Sequence, residues 1–434
     1  MIHTEIVLAI DSLSNDGDGV GRTAASTNAR AGRITGGPRG GPWNRQASKS
    51  GRAAADAGKR VVFVPGAAPG DTVRVRIVAE RKRFLVARLL EVLTPGPGRV
   101  IPRCTHFGQC GGCDWQHLDY ASQLDEKQSQ LAETFERIGA LRDIDTHAIA
   151  PCDPPWNYRH RIRGELRNGR YHQHAQGTGD LVPIERCEIA HESINARLLA
   201  GFDGEEDGRV ELAVVARDPG AGTTARQRDG AGAPADSGAA AVTLSTTRVR
   251  VLPLTEERST ELGFRQVNAV IEATLVERLS EAVIATPTEH VVDLYCGRGG
   301  WTLRLAERCP ERRLIGIDAA PDNIRAAQAG KRALGLDNVE FRQGRVERQL
   351  GRIPLANAAC IVDPPRAGLD RTVVDALNAD PVRRLWYVSC HPATLARDLA
   401  LLCAGVYRVD TVQPLDMFPQ TAHLECLVSL SVTS

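Results

Sequence analysis

The sequence predicts an α/β protein, with an open sheet flanked by helices in the C-terminal part, preceded by a small N-terminal β-barrel and a central α+β segment. Three observations predict it. Strand-like apolar runs alternate with helical patterns from Gln266 onward, period-two alternation with Pro-Gly turns fills the stretch after Lys59, and a Gly-spaced group of cysteines lies between them. A chain of 434 residues exceeds one ordinary core, so two or three domains are expected.

The barrel is assigned to residues 1–97. HTEIVLAIDSL and KRVVFVPGAAPGDTVRVRIVAERKRFLVARLLEVL both read as β, with Val73, Val75 and Ile77 alternating with Arg74 and Arg76, as strands with one buried face do. Between them, about residues 23–58 are rich in Gly, Ala, Ser and Arg, with Ile34 and Trp43 as almost the only large apolar residues, and are expected to be a disordered insertion. Residues 20–60 carry nine Lys or Arg against one acid, Asp56. Such a segment can attract phosphate irrespective of sequence, or be no more than a solvated tail. Net charge, at +1, marks no partner by itself. No apolar run reaches the roughly 18 residues of a membrane span, and MIHTEIVLAI has no basic segment leading into a long apolar one, so neither membrane nor export is expected. Eleven cysteines without a leader then suit a reducing compartment, the cytoplasm.

The central segment, residues 98–255, holds CTHFGQCGGCDWQHL, in which Cys104, Cys110 and Cys113 have the spacing C-x5-C-x2-C. Gly111 and Gly112 permit tight wrapping around an inorganic centre. A closed site needs a fourth thiolate, and the spacing leaves Cys152 and Cys187 as candidates and zinc and iron–sulfur both open. WNYRHRIRGELRNGRYHQH, from Trp156 to His174, mixes cations and rings suited to phosphates and bases, and is also what a charged hairpin around Asn168-Gly169 would look like. About residues 218–240 read as a second insertion between two strands.

Residues 256–434 carry HVVDLYC, WTLRLAERC, RRLIGID, PDNIRAAQAGKRALG, ACIVDP, RLWYVSC and PATLARDLALLC in alternation, which implies a parallel sheet with helices on both faces. DLYCGRGG at Asp293–Gly300 follows a strand and precedes a helix, and Asp318 ends the next strand. Glycines let the backbone approach a nucleoside, and an acid at the second strand's end can accept its ribose hydroxyls. Thr302 stands where a dinucleotide fold would place its third glycine, which favours S-adenosyl-L-methionine over NAD.

Cys390, in WYVSCHPATL, lies where a strand ends and a helix begins. Addition of a thiolate to carbon 6 of uracil makes carbon 5 nucleophilic, and this needs a cysteine of lowered pKa, which N–H groups of the following helix can favour. A carboxylate must then remove the carbon 5 proton, and Glu425 is an acid in an apolar strand. Taken singly, Cys390 reads as a packing residue, and Glu425 equally as a base or as a partner of an Arg or an amide. Asp363-Pro364-Pro365-Arg366 ends in a cation, where methyltransferases acting on exocyclic amines carry an aromatic residue, so ring-carbon chemistry is favoured.

Together these motifs resemble the bacterial RNA (uracil-5-)-methyltransferases, particularly the 23S ribosomal RNA branch with an N-terminal TRAM domain. The resemblance covers most of the chain. It implies a class I, Rossmann-like S-adenosylmethionine-dependent fold behind an OB-like TRAM barrel and an iron–sulfur domain. It implies a methyl-donor site at Gln266, Tyr295, Asp318 and Asp363, Cys390 as nucleophile and Glu425 as proton-abstracting base. For the cysteines it implies a four-iron, four-sulfur (4Fe-4S) cluster on Cys104, Cys110, Cys113 and Cys187, closed to radical chemistry. The implied partner is RNA, 23S ribosomal RNA before transfer RNA, with no protein partner. Two residues depart from the family pattern: His391 replaces the usual Asn after the cysteine, and Gly300-Trp301 replaces Thr-Phe. The rivals are a cytosine-5 methyltransferase, whose cysteine usually follows Pro or Thr, and an inactive RNA-binding or ribosome-assembly factor, against which Cys390, Glu425 and the full glycine loop argue.

Overall fold

A computed structural model describes residues 2–23, 59–216, 247–254, 266–353 and 355–433. Most of the two expected insertions, 23–58 and 218–240, lies outside the described residues.

Five strands close the N-terminal barrel: β1 (Glu5–Leu13), β2 (Gly19–Arg22), β3 (Val61–Val64), β4 (Thr72–Glu80) and β5 (Phe84–Thr94), in the order β1-β2-β3-β5-β4. Val73, Val75 and Ile77 point inward with Leu8, Ile10, Val62, Val64 and Leu85, and Arg74 and Arg76 point out. The base of the barrel is pinned by Asp71. Its buried carboxylate accepts from the Ala68 and Gly96 amides, at 2.7 and 2.8 Å, and pairs with Arg99 at 2.7 Å. Burial works to raise its pKa, but Arg99 and the two amides outweigh it and hold the group below the ordinary carboxylate value.

The central sheet is antiparallel, in the order β10-β9-β6-β7-β8, from β6 (Arg161–Arg167), β7 (Arg170–His174), β8 (Leu181–Pro183), β9 (Gly208–Ala216) and β10 (Thr247–Pro253). Asn168 and Gly169, both at positive φ, make the β6–β7 turn, so the Trp156–His174 stretch does contain a hairpin. Helix α2 (Glu192–Ala200) covers one face through Ile194 and Leu198.

The C-terminal sheet has seven strands in the order β13-β12-β11-β14-β15-β17-β16: β11 (His290–Leu294), β12 (Arg313–Asp318), β13 (Val339–Gln343), β14 (Ala359–Val362), β15 (Arg384–Ser389), β16 (Tyr407–Leu415) and β17 (Glu425–Val432). Buried runs such as Ala359–Val362 mark strands covered on both faces. One face packs α3 (Ala269–Ala285), α4 (Gly300–Arg308) and α5 (Pro321–Leu334); the other packs α6 (Val346–Gln349), α7 (Arg371–Ala379) and α8 (Pro392–Cys403). The expected all-parallel sheet is corrected at one edge. There, β17 runs antiparallel to both β15 and β16, because the short connection through residues 416–424 makes a hairpin and no crossover helix.

The central segment is not a single body. Helix α1 (Tyr120–Gly139) is capped by Asp119, which accepts from the Ser122 amide at 2.7 Å, and ends in left-handed Ala140. Its Leu131 and Phe135 belong to the core of the C-terminal sheet. Thr146 and Ala150 extend the sheet by bridging to Val412 and Leu415 of β16. Apolar spacing in α1 gave no hint of which domain it would cover.

Replacing Asp71 with Ala should leave Arg99 without its buried partner and destabilise the barrel by about 3 kcal/mol, measured as a lowered urea midpoint. Because the folded pKa of Asp71 is depressed, its contribution in the wild type should be complete above an unfolded pKa of about 4 and fade as pH falls through the folded value.

Candidate active site

The loop after β11 passes through Tyr295 at φ 64°, Gly297 at φ 56° and Gly299 at φ 76° before α4 begins. Left-handed backbone at Tyr295 carries strain that most side chains avoid, and such residues concentrate at ligand sites. Gly299 is required for a second reason: a Cβ there would stand 2.7 Å from the Phe341 ring.

Between this loop and the start of α3 lies a cavity of about 500 Å³, reached by Gln266, Asp293, Tyr295, Trp301 and Asp363 among others. Three of the four expected donor-site residues, Gln266, Tyr295 and Asp363, therefore converge. Asp318 does not reach this cavity. Its carboxylate accepts from the Gly297 amide at 3.0 Å, the Ala320 amide at 2.8 Å and Asn323 at 3.1 Å, bracing the glycine loop. Asp293, outside the expected donor-site set, is the one acid of β11. It is buried; one oxygen accepts from Thr302 Oγ1 at 2.5 Å and the other, Oδ1, has no hydrogen-bond partner. Burial lifts its pKa to about 7, and burial with Asp293 beside it lifts Asp363 to about 7. A cavity with an unsatisfied buried carboxyl suits a cationic ligand, and S-adenosylmethionine carries an ammonium and a sulfonium.

The second half of the site comes from the antiparallel edge. Ser389, the last residue of β15, pairs with Cys426 of β17, so Cys390 and Glu425 leave their strands at the same rim. Glu425 is 1% exposed, and its Oε2 has no hydrogen-bond partner. Burial pushes its pKa well above the ordinary value; Asp363 adds to this and Arg366 opposes it. Cys390 is governed by the same groups: burial foremost, then Glu425 and Asp363, push its thiol up to about 11 against the pull of Arg366. The expectation of a lowered thiol pKa is thus corrected. Cys390 precedes the α8 cap, so the helix's first N–H groups serve His391, while Glu425 and Asp363 act on the thiol. Arg366 lowers the pKa of both Cys390 and Glu425, and lies 3.3 Å from His423.

His391 takes over the capping task that the usual Asn could perform. Its Nδ1 accepts from the Thr394 amide at 3.3 Å, and burial with Arg366 lowers its pKa, which keeps the ring neutral and able to accept.

Cys104, Cys110 and Cys113 wind through successive turns with Gly108 at φ 84°, and Cys187 sits at the corner before α2, its amide donating to Asn195 Oδ1 at 2.9 Å. Cys113 is raised by burial and by Cys187, Cys110 and Cys104; Cys187, likewise buried and acted on by Cys110, is pushed up to about 11. The four therefore share one neighbourhood. Cys152 is buried in the apolar core that Cys113 and Cys187 pack against, with its thiol accepting from Asn268 and acted on by Asp416 and Asp153. Among the described residues, no group of three or more His, Cys, Asp or Glu is placed to hold a metal ion. No described helix is long and apolar enough to cross a membrane.

The glycine loop, the cavity and the seven-stranded order define the class as a methyltransferase fold of the S-adenosylmethionine-dependent kind. Residues 254–433 match the model of the tRNA (Uracil-5-)-methyltransferase family, and residues 2–90 match the TRAM domain. An uncharacterized RNA methyltransferase of Thermosynechococcus vestitus is 32% identical, covering 99% of this chain and 98% of its own. The 23S rRNA (uracil(1939)-C(5))-methyltransferase RlmD of Alkalilimnicola ehrlichii is also 32% identical, over 88% of this chain and 94% of its own. The crystal structure of the Pyrococcus abyssi tRNA (uracil-54, C5)-methyltransferase in complex with S-adenosyl-L-homocysteine superposes with a TM-score of 0.63 at 22% identity, over 98% of this chain and 100% of that one. The chain belongs to the RNA (uracil-5-)-methyltransferase family.

His391→Ala should lower the thermal midpoint through loss of the α8 cap, worth about 1 kcal/mol, while His391→Asn should keep it. Since the folded pKa of His391 is depressed, the cap's contribution should be whole above about pH 6.5 and decline as pH falls below it.

Proposed function

We propose that the protein methylates carbon 5 of a uridine in 23S ribosomal RNA, with Cys390 as nucleophile and Glu425 as base. The observation that carries this is the β15–β17 register, which brings the thiol and the unpaired carboxyl to one rim, with Asp363, a cavity-lining residue, acting on both. Cys390, once ionised, adds to carbon 6; the C5=C6 electrons shift to oxygen 4, and carbon 5 becomes nucleophilic. S-adenosylmethionine bound in the cavity would supply the electrophilic methyl group to carbon 5, its S–CH3 bond breaking to leave S-adenosylhomocysteine. Glu425 then accepts the carbon 5 proton, the C–H electrons restore the double bond, and the C6–S bond breaks to return the thiolate. A raised pKa makes Glu425 a stronger base once ionised, and Arg366 favours both ionised forms. Gln266, Tyr295, Asp363 and, through the glycine loop, Asp318 are read as the donor site.

Ribosomal RNA is supported by the relatives named for 23S rRNA and by the TRAM match. The target base must leave its stack to reach a buried thiol, and the Arg103–Trp156 stack, with the ring centroid 5.2 Å from the guanidinium, belongs to a basic, aromatic surface fit for RNA. For the cysteines we read a 4Fe-4S cluster held by Cys104, Cys110, Cys113 and Cys187. The support is the donor set itself: thiols that act on one another, Cys187, Cys110 and Cys104 on Cys113, and Cys110 on Cys187.

Labelled methyl transfer to unmodified 23S rRNA and to transfer RNA transcripts, followed by nucleoside analysis, tests the substrate. 5-Methyluridine in the ribosomal RNA alone is the expected result; label confined to transfer RNA, or appearing as 5-methylcytidine, overturns it. Cys390→Ala should abolish both turnover and the covalent RNA adduct, whereas Glu425→Gln should form the adduct and release it about 100-fold more slowly or worse. With the thiol pKa near 11, adduct formation should climb with pH through the neutral range.

Anaerobic reconstitution with iron and sulfide should give a brown protein with visible absorption. Cys187→Ser should lose that colour and Cys152→Ser should keep it; the reverse pattern would move the fourth ligand to Cys152.

A further inference from the structure

The segment that carries the chain from β16 to Glu425 is held carbonyl by carbonyl from outside itself. Met417 O accepts from Asn268 Nδ2 at 3.3 Å, Phe418 O from Lys127 Nζ at 3.1 Å and Pro419 O from the Tyr158 hydroxyl at 2.9 Å. Gln420 O accepts from the Asp114 and Trp115 amides, both at 3.0 Å. Gln420, at φ 68°, would not hold a left-handed backbone unaided. It is locked by Gln123, whose Oε1 accepts from the Gln420 amide at 2.9 Å and whose Nε2 donates to Gln420 Oε1 at 3.0 Å. Below this lies an ion pair removed from water, Lys127 with Asp416 at 2.5 Å, both at most 1% exposed. Tyr120 donates to the other Asp416 oxygen at 2.8 Å.

A buried pair of this kind offers little net stability over apolar packing, because desolvation offsets the attraction. Its effect is directional. With Oε2 of Glu425 unpartnered, no side chain aims that oxygen, and its place is set by the backbone that leads into β17. Most of the donors come from α1, the Tyr158 segment and the two residues after Cys113, all in the central part of the chain.

The geometry points to Lys127, Tyr158 and Gln123 as positioning residues for the proton-abstraction step, through which the central segment aligns Glu425 with carbon 5 of the uracil. This rests on the reading of Glu425 as base. None of the three has to touch the substrate for it to hold. Misplacement of the carboxylate by about 1 Å would slow proton removal by up to about 100-fold, while thiol addition by Cys390, directly after β15, would be spared.

Tyr158→Phe removes one hydroxyl at constant shape and is the variant of choice; Lys127→Met, which strands Asp416, is the stronger one. Full-length variants are compared with the wild type and Glu425→Gln for the rate of covalent RNA adduct formation, the rate of its decay, and KM for S-adenosylmethionine. Expected is adduct that forms at the wild-type rate and decays more slowly, with KM unchanged, in Tyr158→Phe and, if it folds, Lys127→Met. Adduct decay at the wild-type rate in folded Tyr158→Phe, or formation and decay falling together, overturns the positioning role. Normal decay in Glu425→Gln instead overturns the base assignment, and the positioning role with it.

Discussion

The placement of the candidate site depends on one constraint, the antiparallel return of β17 between β15 and β16. With Ser389 paired to Cys426, the strand that ends before Cys390 and the strand that begins at Glu425 share a rim. A crossover connection would have given a parallel strand and placed its first residue at the opposite edge of the sheet. The hairpin also requires residues 416–424 to cross the rim within reach of α1 and the cysteine loop.

Burial dominates the electrostatics of that rim. Asp293, Asp363 and Glu425 are all raised by desolvation, and Cys390 with them, leaving Arg366 as the shared counterweight on Cys390 and Glu425. Charges are costly in such surroundings. The two aspartates, near 7, sit at the cavity, where a cationic donor would favour their ionised forms. Asp363, which lines the cavity, acts on both Cys390 and Glu425, so the cavity and this rim are electrostatically joined through it.

The central segment serves two bodies. Its antiparallel sheet and α2 enclose their own core, yet α1 fills the groove over α8 and contributes Lys127 and Gln123 to the loop before Glu425. The cysteine loop reaches the same place through Asp114 and Trp115, whose indole also donates to Gly17 O of the barrel at 3.1 Å. Barrel, cysteine loop and catalytic sheet thus meet around Gln420.

The amino-acid order alone determined the elements: period-two alternation gave the barrel, the glycine-rich turn after an apolar strand gave the donor loop, and the motifs around Cys390 and Glu425 gave their strand ends. These are local signals, and local geometry suffices to read them. Tertiary structure decided what depends on contacts between distant segments. It set the direction of β17, the bracing role of Asp318, and the packing of α1 on the C-terminal sheet. It also reversed the expected shift of Cys390, because a thiol's pKa answers to the carboxyls and burial around it rather than to the helix that follows in sequence.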